Sequence, residues 1–213
     1  MRSIVRDALV VGVATGAYGV SFGAIASAAG FGVAQACVLS LVMFTGASQF
    51  ALVAVPDNPG AGAWTALLLG TRNALYGLRI APLLHARGTT RLAAAHVVID
   101  ESTAMAVARD EPADARVAFW ATGVSIYVLW NVATFAGALA GDHLSDPEVF
   151  GLDAAAPAAF LALLVPRLHG REAWVLAAAA ALVALAATPV VPSGVPVLLA
   201  AAVAAAAGVR GSR

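Results

Sequence analysis

The sequence predicts an all-α fold: a polytopic transmembrane helical bundle of about six to seven membrane segments. Hydrophobic residues make up 61% of the chain and charged residues only 11%, where soluble domains carry roughly 25% charged residues. The mean hydropathy is +0.87. Residues 8–56, 117–141 and 173–209 contain no Asp, Glu, Lys or Arg. A bilayer crossing needs about 20 apolar residues, so the first and last stretches hold two helices each. Turns are expected at 30–32, which contains two glycines, and at the Pro-containing 188–192.

The expected spans in chain order are 9–29, 34–55, 63–84, 117–140, 149–165, 173–187 and 195–208. The last three are short, which suits tilted pairs, half-helices or spans lengthened by their flanks. Arg2 and Arg6 ahead of an apolar run and Ala26-Ser27-Ala28 resemble a signal peptide. The run is long, carries Tyr18 and Ser21, and leads into further spans, so an uncleaved first helix is expected. One integral membrane domain then covers 1–213: a first helical half at 9–92, a polar connector with an acid pair at 93–116, and a second helical half at 117–213.

Arginines mark the cytoplasmic side of membrane proteins. Arg116 inside, the acidic 141–148 loop outside, Arg167 and Arg171 inside, and Arg210 and Arg213 inside require four crossings in the second half and a cytoplasmic C-terminus. Three full spans in the first half would leave Arg87 and Arg91 outside. The preferred resolution is a broken or re-entrant helix there, because irregular backbone is tolerated at membrane depth where it lines a cavity. The alternatives are a crossing by 96–108 despite Asp100 and Glu101, or an external N-terminus. Stretches 44–51 and 150–160 each set a polar interruption before an apolar run, a slight hint of an internal repeat.

Zero net charge offers no field for nucleic acid, and all twelve basic residues are Arg, which excludes lysine-dependent Schiff-base and P-loop chemistry. The single Cys37 lies in an apolar run, and no zinc spacing, nucleophile elbow or phosphate loop is present. Neither an enzyme, a metal site nor a cofactor is expected.

Polar residues at depth are therefore the functional candidates. Gly12, Gly16, Gly19 and Gly23 put small residues on one face of the first helix, for close packing or, with Ser21, for an unwound substrate site. Gly46, Ser48 and Gln49 interrupt the second stretch, either as interhelical glue or as ligands. Arg72, Tyr76 and Arg79 share a face, beside Asn73; Arg72 would clamp a carboxylate or pair with a buried acid, and Arg79 would snorkel. His96, Asp100 and Thr103 align at helical spacing, with Glu101 adjacent. They suit either proton coupling or an interfacial helix whose acids pair with Arg87, Arg91 or Arg109. Asn131 with Ser125 and Tyr127, and Asp153 with Pro157, complete the set. The four tryptophans read as interfacial anchors.

The Gly-rich first helix, Phe44-Thr45-Gly46-Ala47-Ser48-Gln49-Phe50-Ala51, Arg72 with Leu75-Tyr76, and Asp100-Glu101 resemble the AzlC family of branched-chain amino acid exporters. Gly70 and Asn73 depart from that family's pattern around the arginine. The resemblance implies export of branched-chain or other small apolar amino acids across the inner (plasma) membrane, with a small AzlD-type membrane subunit as partner; proton coupling is a further expectation. Substrate would be held by Gly19, Ser21, Gly23, Gly46, Ser48, Gln49, Arg72, Asn73, Tyr76 and Asn131, and protons by Asp100, Glu101 and His96. The competing readings are a non-transporting scaffold subunit and a small-solute channel; an oligomer is compatible with all three.

Overall fold

The computed structural model describes residues 1–142, 161, 164–165, 168–191 and 195–211, which are helical with short connections and contain no strand. Helices α1 (Arg2–Gly16) and α2 (Tyr18–Ala28) follow each other across Ala17, which keeps right-handed helical dihedrals. Together they form one 27-residue candidate span, about 40 Å long at 1.5 Å per residue. Then come α3 (Val33–Val42), α4 (Gly46–Val53), α5 (Pro59–Leu84), α6 (Gly88–His96), α7 (Asp100–Val107), α8 (Pro112–Asp142), α9 (Gly170–Ala187) and α10 (Val195–Gly211). Three candidate spans meet both length and apolarity among the described residues: Arg2–Ala28, Pro112–Asp142 and Gly170–Ala187. The expected span at 149–165 and the 150–160 half of the suggested repeat lie almost wholly outside the described residues, as do Asp153 and Pro157.

Helix α8 is the axis of the bundle, with α1, α2, α3 and α7 packed on it. Its seam with α1 and α2 is lined by glycine from both sides. A Cβ on Gly12 would meet the Ser125 side chain, and one on Gly16 or Gly19 would run into the α8 backbone or its side chains. Gly23 lies against the Thr134 carbonyl and Gly137 against the Val20 carbonyl, so neither has room for any side chain. Of the two expectations for the glycine face, close packing is the one observed at these positions. Ser125 adds polar glue, donating to the Ala8 carbonyl at 3.1 Å.

Two helices are interrupted. The first stops at Val42 and resumes at Gly46, leaving residues 43–45 irregular; the second stops at His96 and resumes at Asp100, leaving 97–99 irregular. The pieces are of matched size, 10 and 8 residues in α3 and α4, 9 and 8 in α6 and α7. The first break falls just before Gly46, within the first-half stretch where irregularity is expected. The second changes the reading of 93–116: His96, Asp100 and Thr103 do not share one helical face, because the helix is broken between the first and the other two. Val97, Val98 and Ile99 are buried in the core, so this segment is an integral part of the bundle.

Candidate functional site

Both breaks open onto one cavity of about 270 Å³, near the lower end of the roughly 300–1,000 Å³ typical of small-molecule sites. The first break contributes Phe44, Thr45, Gly46 and Ala47, and the second Ile99, Asp100 and Glu101. Helix α5 contributes Leu69, Arg72 and Asn73; Phe50, Ile126 and Trp130 complete an apolar wall, and Thr15 and Tyr18 reach in from the first span. Irregular backbone in a membrane protein is tolerated where it is buried in protein or lines a cavity, and both breaks contribute to such a lining.

The charges in that lining are Arg72, Asp100 and Glu101. Arg72 and Asp100 form an ion pair at 3.3 Å, their side chains 28% and 19% exposed. Arg72 therefore meets the acid that one of its sequence readings requires. Arg109, considered as a partner for that acid pair, binds Asp7 at 3.7 Å instead, and Arg87 and Arg91 are exposed. In the same lining, Thr45 Oγ1, Arg72 Nε and Asn73 Oδ1 are buried with no hydrogen-bond partner among the described residues.

Each break is secured by one buried polar side chain from the half-helix that follows. Gln49 donates from Nε2 to the carbonyls of Met43 at 2.6 Å and Ser40 at 3.4 Å, while its Oε1 accepts from Trp130 Nε1 at 2.9 Å. It thereby supplies partners to carbonyls that the end of α3 leaves without helical ones. Ser102 donates from Oγ to the carbonyls of Val97 at 2.7 Å and Ile99 at 3.2 Å, and accepts from the Ile99 N–H at 3.1 Å. Phe44 and His96 stack at 6.1 Å, both flanked by Tyr127, which joins the two breaks through aromatic contacts.

Of the residues singled out in the sequence, Gly46, Arg72, Asn73, Asp100 and Glu101 line the cavity. Gln49 lies behind that lining, and Ser48 binds the Ala66 carbonyl on α5 at 2.8 Å. His96 stands behind Phe44; Tyr76 packs against the core; Asn131 donates to its own helix at the Tyr127 carbonyl, 2.8 Å away. Gly19 and Gly23 face α8, and half-buried Ser21 lies between them, outside the lining. Trp64 and Trp174 are exposed, as anchors should be, but Trp130 is buried against Phe22 and Phe50. Its position in the middle of the expected 117–140 span, away from either end, was the signal for that. Thr45 and Ser102 had no such signal.

Discontinuous helices around a small, partly charged cavity in an apolar bundle define a helical membrane protein with a buried polar site. Residues 10–144 match the family described as AzlC protein, a region that contains both breaks, Arg72 and the acid pair. The chain belongs to the AzlC family. It is 32% identical over 155 residues to an uncharacterized membrane protein of Archaeoglobus fulgidus, an alignment covering 71% of this chain and 68% of that protein. No solved structure matches it.

Proposed function

We propose that this protein is a transporter that exports branched-chain or other small apolar amino acids across the inner membrane, coupled to protons and assisted by a small AzlD-type membrane subunit. The observation that carries the reading is the Arg72–Asp100 ion pair in an otherwise largely apolar cavity between two helix breaks. Helix breaks of this kind bring backbone groups to a substrate at membrane depth. A guanidinium at the same depth binds a carboxylate with good geometry, and Phe50, Ile126 and Trp130 offer an apolar surface to an aliphatic side chain. Asp100 and Glu101, with His96 close by, are the groups proposed to take up and release the proton. Membrane families with resident acids at depth use them in this way. The arginine distribution favours a cytoplasmic C-terminus.

The test is efflux of labelled leucine, isoleucine, valine and methionine from proteoliposomes holding this chain with and without its small partner. Selective efflux is expected, reduced at least about a hundredfold in Arg72→Ala through loss of the charged contact. Absence of flux for all four, with correctly inserted protein, would overturn the transporter reading in favour of a scaffold. Unsaturable, unselective flux would favour a channel.

A further inference from the structure

The two helix starts that meet in the cavity lining differ in charge. Helix α4 starts at the cavity with Gly46 and Ala47 and carries no acid in its first turn; its N-cap, Thr45, makes no capping bond from its side chain. Helix α7 starts at the same cavity with Asp100 and Glu101 in its first turn. Helix N-termini present unpaired N–H groups and a partial positive charge, so α7 is already balanced by its own acids whereas α4 is not. Arg72 stands with Asp100 across the 3.3 Å ion pair, in the lining that the starts of both helices share.

We propose that substrate enters as a zwitterion that splits this ion pair. Its carboxylate takes the place of Asp100 on Arg72, and its ammonium takes the place of Arg72 on Asp100. The inference rests on the amino-acid reading above and deepens it. A half-buried charge deprived of a partner in a largely apolar cavity loses more than an exposed one would. A zwitterion replaces the partner that each ion loses, whereas a substrate with one charged group replaces only one of the two. The site therefore discriminates by charge pattern: α-amino acids with uncharged side chains are accepted, and their amides and hydroxy-acid analogues are refused. Asp100 is then engaged by the ammonium, and proton coupling falls to Glu101 beside it. The orphaned Thr45 Oγ1, Arg72 Nε and Asn73 Oδ1 are the further groups available to the carboxylate end.

The experiment measures competition against labelled leucine in proteoliposomes and, separately, thermal stabilisation of the purified protein. The probes are leucine, leucinamide and 2-hydroxy-4-methylpentanoate. In the wild type both analogues are expected to act at least about a hundredfold more weakly than leucine, since each replaces only one half of the ion pair. Asp100→Asn should narrow the gap for the hydroxy acid and Arg72→Gln the gap for the amide, each without narrowing the other. Equal action of all three probes on the wild type, or gaps unchanged in both variants, overturns the proposal. Leucine flux without preference for the zwitterion sinks this inference and leaves the transporter reading standing. Zwitterion-selective stabilisation without flux does the reverse, and neither binding nor flux removes both. If either substitution prevents folding, as judged by gel filtration, the wild-type comparison among the three probes still decides.

Discussion

The breaks at 43–45 and 97–99 interrupt helices of matched length and line the same cavity, yet they are held differently. The first is braced from outside. Tyr127, Trp130 and Thr134 of α8 reach, respectively, the Leu41 carbonyl, Gln49 and Ser40 around the end of α3. The second is tied from within: among the described residues Ser102 bonds only to Val97 and Ile99, two residues of the break itself. A brace that depends on α8 fixes the first break relative to the bundle axis, whereas the Ser102 knot keeps its shape wherever its segment sits. The glycine seam is what positions α8 for the bracing. The comparison thus predicts a hierarchy: damage to the seam should disturb both breaks, damage to Gln49 mainly the first, and damage to Ser102 the second alone.

The largest effect is expected from Gly137→Val. Its Cβ would meet the Val20 carbonyl and Cα, a backbone obstacle that no rotamer change relieves. Overpacking there should cost about 3 kcal/mol or more. Purified protein should aggregate or unfold at a markedly lower temperature, and a near-normal melting curve would mean that the seam does not hold α8 as described.

Gln49→Leu comes next. At a fully buried position it removes partners from the Ser40 carbonyl and the Trp130 indole N–H, and one of two from the Met43 carbonyl, which keeps the Thr45 N–H. Buried polar groups left unsatisfied cost about 1–3 kcal/mol each, so a total of about 2–4 kcal/mol is expected after partial relaxation. Trp130 lines the cavity, and its fluorescence should shift as its hydrogen bond is lost. Unchanged emission and stability would break the external-brace half of the comparison.

These features were unequally legible in the sequence. The helical membrane class followed from charge-free stretches, because the bilayer imposes length and apolarity on each crossing. The first break was legible because Gly46 and two polar residues interrupt an otherwise apolar run. The second was not. Val97, Val98 and Ile99 look like ordinary core residues, while the flanking Asp100, Glu101 and Arg109 gave the region the polarity of a connector. Arg72 and Asp100 were each recognisable as costly at depth, but their pairing depends on how α5 and α7 pack, which no spacing encodes. The partners of the first-helix glycines, Gly137 among them, were hidden for the same reason: a small-residue face announces a close neighbour without saying which one.

Ser102→Ala gives the smallest effect and the sharpest discrimination. Its hydroxyl serves one N–H and two carbonyls inside a three-residue break, and the side chain is fully buried. Alanine fits the same space, so the change removes hydrogen bonds without introducing a clash. The expected destabilisation is about 1–2 kcal/mol, below that of Gln49→Leu even though both residues secure a helix break. Because none of its partners belongs to α8, the Trp130 fluorescence should stay as in the wild type, while hydrogen exchange should quicken at Ile99 and through the first turn of α7. Asp100 and Glu101 occupy that turn, so zwitterion binding should weaken along with the local protection. A Trp130 shift as large as that of Gln49→Leu would show the two breaks to be one mechanical unit, and the contrast between an external brace and an internal knot would no longer stand.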